Sequence, residues 1–218
     1  MDLYASSSPA SKVINDLRRA IIDGQYAPGQ RLSEKKVSED VGVSRNTLRE
    51  AFQALSEQGL VERVPNRGVS VIAPNMSDIV DIFRMRRIIE PAVLTESDHL
   101  HPALATAASA VEEGQAGISA GDWQAVGTAN MNYHLALMNL SDSPRLVQAF
   151  RNLMAVLRLV FLRMNQAEQL HRPFVELNQG ILDEIRDGNG LKAGSLMREY
   201  LNSSEETLLA AYTRGGFV

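Results

Sequence analysis

At Gly59 the spacing of apolar residues changes period, and that change limits the folds open to the chain. Ahead of it, Leu48, Ala51, Phe52 and Leu55 lie on one helical stripe. Beyond it, Leu60-Val61-Glu62-Arg63-Val64 reads as a strand, Pro65-Asn66-Arg67-Gly68 as a turn and Val69-Ser70-Val71-Ile72 as the returning strand. Two further helices precede the stripe. Ser8-Pro9 is a cap followed by proline at the first helical position, Val13, Leu17, Ile21 and Ile22 repeat at helical spacing, and Gly24 closes the helix. After the turn Tyr26-Ala27-Pro28-Gly29, Ser33 caps a short helix with Glu34 in its first turn, reaching Val41. Gly42 breaks that helix, and Ser44 caps the third, which reaches Gln58. Helix, helix, glycine turn, helix, hairpin is the order of a winged helix-turn-helix.

Pro74-Asn75 marks a boundary, so the expected domains are 1–74 and 75–218. From Ser77 onward the pattern is helical throughout, with helices predicted at 77–99, 103–119, 122–140, 143–167, 173–187 and 190–213. Pro91 is expected to kink or interrupt the first of these. Six helices with short connections predict a compact antiparallel bundle. The fold class expected is therefore mainly α: an N-terminal winged helix-turn-helix with a small β-hairpin, and a C-terminal antiparallel helical bundle.

Composition excludes several functions. The 218 residues include no cysteine, which removes disulfides, thiolate metal sites and cysteine nucleophiles. No apolar run approaches the ~20 residues that cross a bilayer, and Met1 to Ala10 does not read as a secretory signal, so a cytoplasmic protein without a membrane partner is expected. Net charge is −4, but residues 1–74 hold ten Lys/Arg against nine Asp/Glu, leaving twelve against seventeen for the remainder. Binding of nucleic acid would have to rest on locally placed cations rather than bulk charge.

Such cations are present. The third element of a helix-turn-helix enters the major groove, its N-terminal residues facing base edges. Here it begins Ser44-Arg45-Asn46-Thr47-Leu48-Arg49. Arginine offers a bidentate fork to guanine, and Ser44 and Thr47 carry hydroxyls suited to phosphates or bases. Arg67 at the wing tip points to the adjacent minor groove, and Arg31, Lys35 and Lys36 to the backbone. Taken singly, each cation reads equally as part of a solvated face; their joint occurrence with the capped helices and the hairpin is the specific signal.

This segment resembles the GntR family of transcription regulators. The matching residues are Gly24-Gln25-Tyr26-Ala27-Pro28-Gly29-Gln30-Arg31-Leu32, Glu34, Gly42-Val43-Ser44-Arg45-Asn46-Thr47-Leu48-Arg49-Glu50-Ala51, Leu55, Gly59-Leu60-Val61 and Arg67-Gly68-Val69-Ser70-Val71. The resemblance implies that Arg45, Arg49 and the wing at Gly68 contact DNA, with Lys35 at a phosphate. The family often has Thr-Pro-Val where this chain has Asn46-Thr47-Leu48, so a different base preference is expected.

In the second half, polar residues interrupt core-facing stripes. Asn130 lies on the stripe Trp123, Val126, Asn130, Tyr133, Leu137, with His134 beside it; Asn178 lies among Phe174, Ile181, Leu182 and Ile185; Tyr200 among Met197, Leu201 and Leu208; Arg86 among Ile79, Phe83, Glu90 and Val93. Burying such groups without partners costs ~1–3 kcal/mol each. They read either as a hydrogen-bonded core network, with Arg86 paired to Glu90 one turn on, or as the lining of a polar ligand cavity in the bundle. His99, His101 and His171 lie near predicted helix ends and read as solvated.

This half resembles the FadR-like (FCD) effector domains of the same family, through Arg86-Arg87-Ile88-Ile89-Glu90-Pro91, the segment Asn130 to His134, Leu182-Asp183-Glu184-Ile185 and Met197-Arg198-Glu199-Tyr200-Leu201. The resemblance implies an effector site at Arg86, Asn130, His134, Asn178 and Tyr200. Many members hold a divalent metal through an Asp and three His; by position these are Asn130, His134, Asn178 and Tyr200, and only His134 is retained. That neutral set brings no formal negative charge to a cation, so no tight metal and no cofactor are expected, and Arg86 is the candidate to meet a carboxylate. No nucleophile–base pair is evident, and His134 lacks an Asp or Glu at helical spacing facing the same cavity, although a Glu from another helix could supply one, so no enzymatic activity is expected. The function expected is a homodimeric repressor that binds a near-palindromic double-stranded operator and is released by a small metabolite, an organic acid.

Overall fold

The structure, a computed structural model, describes residues 9–64, 68–164 and 167–217. Among them, nine α-helices and three strands follow in chain order: α1 (Pro9–Ile22), β1 (Arg31–Leu32), α2 (Glu34–Val41), α3 (Arg45–Glu57), β2 (Val61–Val64), β3 (Gly68–Val71), α4 (Met76–Thr95), α5 (Ala103–Ala120), α6 (Trp123–Met138), α7 (Pro144–Leu162), α8 (Ala167–Arg186) and α9 (Gly190–Arg214). The chain is mainly α, as expected, and no described helix is long and apolar enough to cross a membrane. It divides into two compact units: the residues up to Pro74 with Ala155–Arg163, and Asn75–Met154 with the residues from Met164 onward.

In the first unit the caps fall where serine and glycine put them. The Ser33 side chain accepts a hydrogen bond from the Lys36 amide at the start of α2, and Ser44 accepts one from the Thr47 amide at the start of α3. Gly42, at φ 72°, turns the chain between them through a left-handed conformation that strains any residue with a Cβ. The sheet order is β1-β3-β2, both pairs antiparallel, with Arg31 opposite Ser70 and Glu62 opposite Ser70 on the other side. β1 escaped the sequence reading because two residues are too short for an alternation to show. The cap expected at Ser8 and the turn residues Pro65, Asn66 and Arg67 lie outside the described residues.

Val13, Leu17, Ile21, Leu32, Val37, Leu48, Ala51, Phe52, Leu55, Val69 and Val71 form this unit's core, and Ala155 and Leu159 of α7 are buried in the same cluster. Each such apolar side chain contributes about 1.5–3 kcal/mol by leaving water. The second half of α7 is thus built into the winged-helix unit. Arg158, buried on the same half-helix, donates from Nε to the carbonyl of Ile22 at the end of α1 at 3.4 Å, and Arg163 donates to the carbonyl of Pro74 at 2.8 Å.

In the second unit α4 packs along α9 and α5 along α6, while α8 lies against α5, α6 and α9. α4 opens with a capping box in which Asn75 and Asp78 exchange side-chain-to-backbone bonds. It then runs through Pro91 without a break, so of the two outcomes expected there, a kink or an interruption, the interruption does not occur. Pro91 is buried, and Thr95 donates its hydroxyl to the Pro91 carbonyl at 2.8 Å. Tertiary packing here outweighs the ~3 kcal/mol that an interior proline costs. α8 likewise begins at Ala167, ahead of Pro173, and not at the proline; α7 ends at Leu162 rather than 167.

The α4–α9 crossing is close because α9 presents glycines to it. A Cβ at Gly194 would lie 2.5 Å from the Thr95 hydroxyl oxygen and 2.8 Å from the Pro91 carbonyl oxygen. A Cβ at Gly180, on the exposed side of α8, would meet nothing within 4 Å. Helix propensity favours alanine by ~1 kcal/mol at both positions, so packing decides the sign. Gly180→Ala should raise stability by up to about 1 kcal/mol and Gly194→Ala should lower it by about 1–3 kcal/mol, both read from urea unfolding midpoints.

Candidate functional site

Two groups of side chains stand out, one on each unit. On the first, Arg45 occupies the opening position of α3 and Arg49 lies one turn on; both are exposed. Arg45 has no side-chain hydrogen bond or ion pair among the described residues. The Arg49 guanidinium, by contrast, donates from Nε to Glu34 Oε2 on α2 at 3.0 Å. A cleft of about 450 Å³ beside Arg49 is lined by Asn46, Glu50, Gln53, Glu57 and Arg63. The hydroxyls of Ser44 and Thr47 lie 2.9 Å apart and are engaged in capping α3. Lys35 is exposed on α2, and Arg31 is exposed on β1. The Arg31 guanidinium passes over Gly68, which begins β3 at φ 86°; a Cβ there would sit 3.9 Å from Arg31 Nε. Arg67 lies outside the described residues. The sequence offers Glu34 as a helix-opening acid and a family-matching residue, and Asn46 within the start of α3, but it assigns no role to Gln53 or Arg63. The spacing 46, 49, 53 and 57 along one exposed helical face is the signal that finds Gln53.

On the second unit Arg86, Asn130, His134, Asn178 and Tyr200 do come together, through one residue the sequence reading undervalued. Glu90, fully buried, accepts from Arg86 Nε at 2.6 Å through Oε1 and lies 2.6 Å from His134 Nδ1 through Oε2. His134 Nε2 is 3.0 Å from the Tyr200 hydroxyl, which is itself 3.1 Å from Asn130 Oδ1. Asn178 donates from Nδ2 to Asn130 Oδ1 at 2.7 Å, and its carbonyl accepts from the Tyr133 hydroxyl at 2.9 Å. Four helices, α4, α6, α8 and α9, thus meet in one polar chain. Arg86 also stacks over Phe83, its guanidinium carbon 5.0 Å from the ring centre. Two atoms of the chain, Arg86 Nη2 and Asn178 Oδ1, are buried with no hydrogen-bond partner among the described residues.

The four positions Asn130, His134, Asn178 and Tyr200 are themselves neutral, but a carboxylate stands beside them: His134 faces Glu90, supplied by α4 rather than at helical spacing on α6. Glu90 sits four residues from Arg86 on the same stripe, which was the available signal; its second bond to His134 crosses 44 residues of sequence and leaves no local trace. His171, expected to be solvated, is buried, because α8 begins earlier than predicted and carries it into the helix interior. His99 is exposed, and His101 Nε2 lies 3.2 Å from Asp142 Oδ1.

The charges follow from burial and pairing. Burial by itself would raise the Glu90 carboxyl; the Arg86 guanidinium and the His134 ring outweigh it and hold the group below its ordinary value, hence ionised. Burial lowers His134, with Arg86 adding to the effect and Glu90 opposing it, so the imidazole is neutral. Nδ1–H then donates to Glu90, and the Tyr200 hydroxyl, with one proton to give, lies 3.1 Å from Asn130 Oδ1 and 3.0 Å from the unprotonated Nε2. Burial pushes that phenol up, so it remains a hydroxyl. Arg86 and Glu90 cancel in formal charge, and Arg86 Nη2 is left as an unused donor.

Known proteins share both units. The family model described as "Bacterial regulatory proteins, gntR family" matches residues 9–71, and the "FCD domain" model matches residues 81–203, more than half of the chain. A solved structure of a transcriptional regulator GntR from Rhodococcus sp. RHA1 is 39% identical, with a TM-score of 0.89, over 94% of this chain and all of that one. The chain belongs to the GntR family. The galactonate operon transcriptional repressor of Escherichia coli (strain K12) is 26% identical over 93% of this chain and 94% of its own length. The transcriptional repressor RspR of the same organism is 44% identical over 77 residues, 35% of this chain and 34% of that protein. The chain spans about a third of the length of some of the curated relatives it matches. GntR regulators with an FCD domain are transcription regulators that bind DNA operators, and the exposed guanidinium pair on α3 belongs to the matched winged helix.

The metal that the FadR-like resemblance implies can be tested against these GntR-family positions. Of the four, only His134 is an imidazole, and both its nitrogens are engaged, by Glu90 and by Tyr200. Asn130 Oδ1 already accepts from Asn178, and Tyr200 stays protonated. Among the described residues no group of three His, Cys, Asp or Glu side chains could hold an ion. The donor set does not fit a divalent metal, which favours deprotonated, electron-rich ligands.

Glu90 holds two groups that would otherwise be buried without partners. Glu90→Leu should lower stability by about 3–5 kcal/mol, and Arg86→Met/Glu90→Leu together should recover part of that loss, the share due to the stranded guanidinium and not that due to His134, as a double-mutant cycle in urea will show. The depressed values of His134 and Glu90 both favour deprotonated forms in the folded state. Stability is therefore fully present above the ordinary histidine value of 6.5 and declines as pH falls through it, with a second decline below the ordinary carboxyl value of 4.5. His134→Gln should flatten the upper step and leave the lower one, measured as unfolding free energy against pH.

Proposed function

We propose that this GntR-family chain is a ligand-responsive, homodimeric repressor whose DNA grip is released by a small hydroxylated carboxylate. Arg31, Lys35, Ser44, Arg45, Thr47, Arg49, Arg67 and the wing at Gly68 meet the operator. Arg86, Asn130, His134, Asn178 and Tyr200 receive the effector. Two α3 helices related by a two-fold axis read the half-sites of a near-palindromic duplex. The effector acts through its differential affinity for the operator-bound and released states.

One observation carries the effector reading: a buried guanidinium nitrogen and a buried amide oxygen stand without partners in one network. Buried polar groups are paired in the great majority of cases, and an orphan of each kind calls for a molecule that both accepts and donates. A carboxylate accepts from Arg86 Nη2, and a neighbouring hydroxyl donates to Asn178 Oδ1. The galactonate operon repressor, 26% identical, is named for a sugar acid of this chemical kind. Because Glu90 already balances Arg86, the ligand is held by hydrogen bonds at a fixed donor rather than by surplus charge. No metal takes part: the residues that hold one in many relatives are here committed to one another.

The test is a thermal-shift screen of the full-length protein against sugar acids, simple carboxylates and their amides, with and without zinc or nickel. A hydroxy acid is expected to raise the melting point without added metal and to release the protein from DNA in a gel shift. Asn178→Leu should abolish both responses while leaving DNA binding intact. A response that requires metal, or about one equivalent of zinc or nickel in protein purified without chelator, overturns the metal-free site; a screen with no carboxylate response overturns the effector class.

A further inference from the structure

The two arginines at the head of α3 differ in one respect that their sequence positions do not reveal. Arg45 has no side-chain partner among the described residues, whereas Arg49 is tied through Nε to Glu34 on the neighbouring helix at 3.0 Å. Judged as a stability device the pair is weak: the side chains are 57% and 32% exposed, and exposed ion pairs contribute little. A carboxylate beside a DNA-reading face also works against binding, since it repels phosphates and forgoes counterion release. The first unit can ill accommodate such a charge, with ten basic residues against nine acidic ones over 1–74. The place of Glu34 in the first turn of α2 accounts for an acid there, but not for its bond across to Arg49.

We infer that Glu34 is a positioning residue that makes Arg49, and not Arg45, the principal base reader of α3. An arginine recognises guanine through a planar fork, and a free side chain loses rotamer entropy in presenting that fork. Anchoring Nε on α2 fixes the plane of the guanidinium before contact and leaves both terminal nitrogens for a base. Glu34 is itself held, as the first residue of α2 directly after the Ser33 cap, where the helix N-terminus favours a negative charge. Arg45, untethered at the first position of α3, adapts to the phosphate backbone instead. The device trades sequence-independent affinity for discrimination at one base pair in each half-site. It rests on the reading of α3 as the groove-bound helix.

The experiment selects preferred sites from a random duplex library with the full-length protein, then measures every single base-pair change in the best site for wild type, R49A, E34A and E34Q. R49A should cost roughly 10-fold or more in discrimination at one base pair per half-site. E34A should lose discrimination at that same base pair, by roughly 3–10-fold, while binding unrelated duplex as tightly as wild type or more tightly. E34Q, which keeps an acceptor for Nε but not the charge, should recover part of the discrimination and retain the gain on unrelated duplex. If E34A and E34Q both bind all sequences more tightly with an unchanged base profile, Glu34 acts by charge alone and the inference is overturned. If R49A itself leaves the profile unchanged, the groove-reading assignment of Arg49 fails, a result distinct from a failure of Glu34.

Discussion

A carboxylate with no exposure to water, held between a guanidinium and an imidazole, is the constraint around which the second unit is arranged. Glu90 has two oxygens and spends one on Arg86 and one on His134, at 2.6 Å each. Neither partner has another way to satisfy the group facing Glu90, and each comes from a position that must be correct to within a fraction of an ångström. The α4 backbone fixes the first by helical spacing. The second requires α6 to lie against α4 in one rotation, which in turn aims His134 Nε2 at Tyr200 of α9 and brings Asn130 to Asn178 of α8. Four helices therefore share one hydrogen-bond solution, and a slip of any of them strands a polar group in an apolar interior. The close α4–α9 crossing at Gly194 is the steric counterpart of the same requirement.

The order of that network also explains why it is a candidate for recognition and not only for rigidity. A chain of polar groups that were purely structural would close on itself. Among the described residues this one leaves two buried atoms without a partner, Arg86 Nη2 and Asn178 Oδ1, a donor and an acceptor. That donor and that acceptor are what the proposed hydroxy-acid effector would meet. The imidazole nitrogens of His134 face Glu90 and Tyr200, and its neighbours Asn130, Asn178 and Tyr200 are poor ligands for a divalent ion.

On the first unit the economy is different, since affinity for a polyanion and selectivity among its sequences pull in opposite directions. In the proposed reading exposed cations such as Arg31, Lys35 and Arg45 serve the first, and Arg49, braced by Glu34, serves the second. The helix that carries both is kept in place by a core to which α7 contributes Ala155 and Leu159, with Arg158 bonded to the last carbonyl of α1. The winged-helix unit is thus completed by residues far from it in sequence.

Much of this was legible in the chain. The change of period at Gly59, the serine caps at Ser33 and Ser44, and the glycine at Gly42 are local signals, each acting over a few residues, and they fixed the helix order, the fold class and the exposed arginines of α3. The five polar interruptions of apolar stripes marked the buried site for the same reason: burial on a helix face is periodic. What the chain could not announce is who meets whom across long separations. The bond from Glu90 to His134, the brace from Glu34 to Arg49, the two-residue strand β1 and the passage of α7 into the first core depend on how rigid helices rotate and stack. Prolines 91 and 173 belong here too, since whether an interior proline ends a helix is settled by the packing around it. Local chemistry determined which groups had to be satisfied, and only tertiary packing, by setting helix rotation and approach, decided with what.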